Sequence, residues 1–159
     1  MTKYTIDNER SLKNVTNTFE RLLSMNVIPI VNENDVIATE EIEFGDNDTL
    51  SAHVAKIVNA DLLIIMTDID GFYSDNPVTH TDAHLIHELN EISDDIMERA
   101  GGSVSGLGTG GMYTKLLAGK TALEFGISTV IINGKEPKTI YDIIDGKNIG
   151  TLIRKKQGV

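Results

Sequence analysis

Three short apolar runs, VIPIV at 27–31, DLLIIMT at 61–67 and STVII at 128–132, alternate with segments of helical periodicity. Runs of this length with no polar alternation are the pattern of strands buried on both faces, which a parallel sheet requires. Leu12, Val15, Phe19, Leu22 and Leu23 keep helical spacing over residues 8–25, and Leu50, Val54, Ile57 and Val58 share one stripe over 46–59. Met112, Leu116, Gly119 and Leu123 mark a third helix face ending near Phe125. A short helix is expected at 94–99, and another over 137–144, where Pro137 suits a first helical turn. Shorter strands are expected at 72–73, 84–89 and 151–153, with a small hairpin near Ile42. Helix alternating with buried strand predicts an α/β fold: a three-layer α/β/α sandwich with a mainly parallel sheet covered on both faces.

With 159 residues, no internal repeat and no Ser/Pro-rich linker, the chain reads as a single domain over 1–159. Its net charge of −10 argues against a nucleic-acid partner, which would call for a basic face. No stretch approaches the length of a membrane span, and the segment after Met1 is polar, so neither a membrane nor a leader is expected. Cysteine is absent, which rules out disulfides and thiol catalysis and is compatible with the expected cytoplasmic address.

In parallel α/β sheets ligands collect beyond the carboxyl ends of strands. Three polar clusters lie after predicted strands or before predicted helices. The first, SGLGTGGMYTK at 105–115, carries four glycines and runs straight into a helix. Glycines let a backbone approach a ligand closely, and a helix N-terminus offers unpaired N–H groups at the positive end of its dipole. Lys115 falls near that end, where the dipole alone disfavours a cation and a bound polyanion would resolve the conflict. The loop lacks the spacing of a P-loop or a dinucleotide fingerprint, so a flexible surface loop is its plain alternative. The second cluster holds seven carboxylates, Glu33, Asp35, Glu40, Glu41, Glu43, Asp46 and Asp48. Glu40, Glu41 and Glu43 read as solvated. Asp46, Asn47 and Asp48 stand together at a helix start, where one can cap the helix and the others can hold an ammonium group or a hydrated metal. The third is Thr67-Asp68-Ile69-Asp70-Gly71, an Asx-type turn leaving the strongest predicted strand. The histidines His53, His80, His84 and His87 read as solvated, and no metal ligands are assigned.

Taken in order, VNENDVIATEEIEFGDNDTLSA, LLIIMTDIDGFYSDNP and SGLGTGGMYTKLLA resemble the glutamate 5-kinase branch of the amino-acid kinase family over residues 8 to 153. The resemblance implies ATP-dependent phosphorylation of the γ-carboxylate of L-glutamate in proline biosynthesis, with Mg²⁺ accompanying the nucleotide. Carried over by position, Asp35 and Asn47 match glutamate-binding residues, with Asp46 and Asp48 beside them. Thr67 and Asp68 match an ATP-contacting pair. Thr109, Gly110, Gly111, Met112, Tyr113, Thr114 and Lys115 match a second nucleotide segment, in which Lys115 is the catalytic cation. The nucleotide-binding part would run from about residue 60 onward.

One departure is large. The family's opening strand and glycine turn with its lysine have no counterpart, so the domain is expected to be incomplete on its N-terminal side. Little activity is then expected of the chain alone, together with self-association or association with a polypeptide supplying the absent half. The alternatives are a non-catalytic nucleotide-binding module and another amino-acid kinase of uridylate, acetylglutamate or carbamate type.

Overall fold

The computed structural model describes residues 1, 3–33, 47–101 and 111–156. Six helices are described: α1 (Lys3–Asp7), α2 (Glu9–Ser24), α3 (Asn47–Ile57), α4 (Asp94–Arg99), α5 (Met112–Glu124) and α6 (Thr139–Ile144). Four strands, β1 (Leu62–Thr67), β2 (Glu88–Leu89), β3 (Ser128–Asn133) and β4 (Thr151–Ile153), form one sheet in the order β1-β3-β4-β2. β1 and β3 pair in parallel from Leu62↔Ser128 to Thr67↔Asn133, and β2 pairs β4 in parallel. β4 runs antiparallel to β3, so the sheet is mixed but mainly parallel.

β3 shows why continuous apolar runs mark such strands. Thr129, Val130, Ile131 and Ile132 are all buried, and successive side chains point to opposite faces, so both faces of β3 are covered. On one face Ile131 joins Ile153, Leu116 of α5 and the small residues Ala52 and Ala55 of α3 in the main core. Small side chains on α3 and on α5, where Ala118 and Ala122 are buried, let these two helices pack closely beside each other. Gly119 extends the same logic to the sheet, because a Cβ there would lie 2.6 Å from Ile153 Cδ1. This packing fixes the N-terminal ends of α3 and α5 relative to one another.

The helices begin and end much as their sequences dictate. Asn8 caps α2 by accepting from the Ser11 amide at 3.0 Å, and Ser93 caps α4 by accepting from the Ile96 amide. α6 begins at Thr139, two residues later than the proline signal suggests, and α1 is an element the polar sequence at 3–7 does not announce. The short strand expected at 72–73 is reduced to one bridge, Tyr73↔Leu85. The hairpin near Ile42 lies outside the described residues.

The clearest correction concerns residues 27–31. They form no strand, and Ile28 and Ile30 are 87% and 98% exposed. An apolar run signals a need for cover, but a strand exists only where a neighbour completes its hydrogen-bond ladder. Among the described residues no segment pairs with this one. β1, at the sheet edge, is likewise less buried than its composition implies, with Met66 38% exposed.

His53 on α3 gives the fold a pH dependence. Burial pushes its imidazole below the ordinary value of 6.5, nearby Lys56 pushes the same way, and Asp7 opposes them. The unfolded chain therefore binds the proton more readily, so stability falls as pH drops below about 6.5 and on through the folded-state value. Thermal melts at pH 7.5 and 5.5 are expected to show a lower midpoint at the acid value, with a smaller difference in His53→Gln. A midpoint that rises on acidification would contradict this sign.

Candidate functional site

The N-terminal turns of α3 and α5 bring together residues far apart in sequence. Lys115 Nζ donates to Asp48 Oδ2 at 3.1 Å, with the two side chains 9% and 18% exposed. The Thr114 hydroxyl lies 2.8 Å from the same carboxylate oxygen and 2.8 Å from the Gly111 carbonyl. Asp48 sits in the first turn of α3, where the helix dipole favours a negative charge. Lys115 occupies the corresponding unfavourable position on α5, and the compensating charge comes from the Asp48 carboxylate, where the sequence alone suggests a bound polyanion. Gly111 is the N-cap of α5 and provides no side-chain cap. The first-turn amides of α5 therefore meet no side-chain acceptor from the cap position, and they stand beside a nearly buried ammonium group. Backbone donors, a positive helix end and a held cation are groups from which anion sites are built. Met112 and Tyr113, between Gly111 and Thr114, pack against the core with part of their surface. Asn47 is exposed at the first position of α3. Asp35, Asp46, Thr109 and Gly110 lie outside the described residues.

A second cluster stands at the carboxyl ends of β1 and β3. The Thr67 hydroxyl donates to Asp68 Oδ1 at 3.1 Å, and the Gly134 amide donates to the Thr67 carbonyl at 2.7 Å. Asn133 ties the loops together, its Nδ2 reaching Asp70 Oδ1 at 2.9 Å and the Asp68 carbonyl at 3.4 Å. Its own Oδ1 accepts from the Lys135 amide at 2.9 Å. Tyr73 donates to Asp70 Oδ2 at 3.3 Å, and burial first, then the Asp70 charge, raises its phenol above the ordinary range. A cleft of about 740 Å³ opens here, lined by Thr67, Asp68, Asn133, Gly134 and Lys135 among others.

Asn133, Gly134 and Lys135 were not singled out from sequence. The rule that drew attention to Thr67 applies equally to them, because they leave the STVII strand at its carboxyl end. The loop after β1 is held from beneath by Thr151, whose buried hydroxyl accepts from the Phe72 amide at 2.8 Å and donates to the Ile86 carbonyl at 2.6 Å.

The histidines expected to be solvated find separate partners. His84 Nδ1 lies 3.1 Å from the Ser74 hydroxyl, His80 Nδ1 lies 3.2 Å from Asp75 Oδ1, and His87 Nδ1 lies 3.2 Å from the Gly150 carbonyl. Among the described residues, no group of three or more His, Asp or Glu side chains gathers as a cation cage, and no helix is long and apolar enough to cross a membrane.

Residues 1–133 match the model of the amino acid kinase family. The chain belongs to that family. It is 52% identical to glutamate 5-kinase of Enterococcus faecalis over 98% of its length, and 49% identical to that of Clostridium perfringens over 99%. It spans 59% and 60% of those two relatives, so it corresponds to part of each. Among solved structures it resembles UMP kinase from Bacillus anthracis, with a TM-score of 0.64 at 18% identity, covering 91% of this chain and 52% of that one. Isopentenyl phosphate kinase from T. acidophilum, in a product complex, gives 0.57 at 22% identity, covering 87% and 52%. Likeness at such identities speaks for the fold, an open α/β sheet of the amino acid kinase type. It agrees with the α/β architecture that the alternating runs predict.

Proposed function

We propose that this chain supplies the nucleotide-binding part of an ATP-dependent kinase that phosphorylates the γ-carboxylate of L-glutamate, the first step of proline biosynthesis. The observation that carries this reading is the Lys115–Asp48 pair at the start of α5 and α3, in a chain half identical to glutamate 5-kinases along its length. The carboxylate of glutamate is already ionised near neutral pH and is itself the nucleophile, so no general base is needed. One of its oxygens forms the new bond to the γ-phosphorus, the bond from that phosphorus to the β,γ-bridging oxygen breaks, and ADP leaves with the electron pair. Phosphoryl transfer of this kind depends on positioning and on neutralising the charge of the moving group.

In this scheme Lys115 and the first-turn amides of α5 neutralise that charge, and Asp48 holds the Lys115 ammonium in place before the nucleotide arrives. Asn47, with Asp35 and Asp46, serves the glutamate. Thr67, Asp68 and the glycine segment with Thr109, Gly110, Met112, Tyr113 and Thr114 border the nucleotide. Mg²⁺ would reach the site on the nucleotide phosphates and offset part of their charge. Asp48 is already committed to Lys115 and no carboxylate cage is found among the described residues, so no step is assigned to the ion.

The active assembly includes more than one copy or more than this chain. The bare apolar surface at Ile28 and Ile30 supports that reading. A cytoplasmic setting suits a chain of this composition acting on ATP and glutamate.

Glutamate-dependent release of ADP tests the proposal. It is measured on the chain alone and on the chain mixed with the part of the Enterococcus faecalis glutamate 5-kinase that lies outside the matched region. Little turnover is expected alone, with turnover in the mixture that requires glutamate and ignores UMP, acetylglutamate and carbamate. Preference for another acceptor would refute the substrate. Nucleotide binding without turnover in a formed complex would leave the non-catalytic module as the correct reading.

A further inference from the structure

Lys115 and Asp48 form only two sides of the cluster, and the third is a hydroxyl with a choice. The Thr114 Oγ1 carries one proton and faces two acceptors at the same distance, 2.8 Å to Asp48 Oδ2 and 2.8 Å to the Gly111 carbonyl. The Gly111 carbonyl occupies the N-cap position of α5, where it also accepts the first intrahelical bond. It therefore keeps a donor whichever way the Thr114 proton points. Among the described residues, the Asp48 carboxylate is given no such reserve. Its Oδ2 is shared by Lys115 at 3.1 Å and Thr114, and its side chain is only 18% exposed. A carboxylate so placed is costly to leave without a donor.

We infer that Thr114 is a positioning residue whose hydroxyl proton switches between the Gly111 carbonyl and Asp48, keeping Asp48 hydrogen-bonded when Lys115 turns toward an anionic ligand. This deepens the reading of Lys115 as the phosphate-side cation and rests on it for the ligand. The local geometry stands independently. A purely structural threonine would use its hydroxyl only as a helix-terminal bond back to residue 111, a common habit of Ser and Thr near helix starts. The second contact, to a carboxylate 66 positions away in sequence, is what that habit does not explain.

The titration of Asp48 separates the two readings. Its carboxyl carbon is followed by NMR in the full chain, for the wild type, Thr114→Ser and Thr114→Val, with far-UV circular dichroism as the check on folding. Removing a hydrogen bond to the ionised form raises a carboxyl group's pKa. Thr114→Val is expected to weaken Asp48 acid dissociation about 2- to 10-fold, and Thr114→Ser is expected to leave it at the wild-type value. Saturating ADP, as the anionic probe, should widen the gap between wild type and Thr114→Val, because Lys115 then shares its charge. Thr114→Ala carries the same expectation if the valine variant does not fold. An unchanged Asp48 titration in a folded valine or alanine variant overturns the proposal. An ADP arm without binding, beside a shifted Asp48, would instead refute the nucleotide reading and leave the positioning role intact.

Discussion

Gly150→Ala is expected to destabilise the chain by more than ~3 kcal/mol, enough to unfold much of a marginally stable domain at room temperature. Gly150 stands at φ +72°, and a Cβ there would lie 2.2 Å from the Ile131 carbonyl oxygen, 3.2 Å from its carbonyl carbon and 2.7 Å from Ile132 Cγ2. The first two are backbone atoms of β3, whose four central residues are buried. They can move only by opening the antiparallel β3–β4 ladder, which pairs Ile131 with Thr151, the residue after the glycine. Gly126→Ala is the matched control, since its φ is +79° but nothing lies within 4 Å of the added atom. That variant should lose only the ~1–2 kcal/mol of placing an L-residue in left-handed backbone. Urea titrations followed by circular dichroism measure both, and equal losses would show that the contact with β3 is relieved without cost.

Lys115→Met is expected to lower glutamate-dependent ADP release by about 10³-fold in the reconstituted mixture, the scale at which charge-neutralising groups act in such reactions. Methionine keeps most of the side-chain length and bulk while removing the ammonium group. The same change leaves Asp48 without its ion-pair partner, so some stability is lost as well. Because Asp48 is partly exposed, that loss should fall below the ~3–5 kcal/mol typical of fully buried pairs. The double variant Lys115→Met with Asp48→Asn separates the two effects. Stability should largely return while turnover stays lost. If turnover returned with stability, Lys115 would be a structural partner of Asp48 and nothing more.

The parts of the fold that depend on local pattern were legible in the chain. Helical spacing located α2, α3 and α5 nearly to the residue, and the runs DLLIIMT and STVII became β1 and β3. Relations between segments were less visible. Nothing in the composition of TLI at 151–153 states that it runs against β3, because strand direction is fixed by the path of the connection. VIPIV is as apolar as β3 yet leaves Ile28 and Ile30 bare, since cover comes from a neighbour that composition cannot supply. In the site, Asp48 and Lys115 were each recognisable as charged residues at helix starts. Their pairing was hidden by a separation of 67 positions and follows from the close packing of α3 on α5. Asn133 to Lys135 form a shorter and less polar turn than Thr67 to Gly71, so their composition signals a site weakly although the strand-end rule covers both loops.

That separation of 67 positions also sets when the Lys115–Asp48 pair can come into being. Closing so long a loop has an entropic cost that only the packed α3–α5 and β1–β3 contacts offset, so contacts of this kind form late in folding. The glycine segment and the first turn of α5 by themselves bring no carboxylate to hold the lysine. A nascent or partly unfolded chain thus has the residues of the site but not its preset cation. On the proposed role of Lys115, competence to grip a phosphate would arise together with the global fold, tying ligand affinity to cooperativity and not to any one loop.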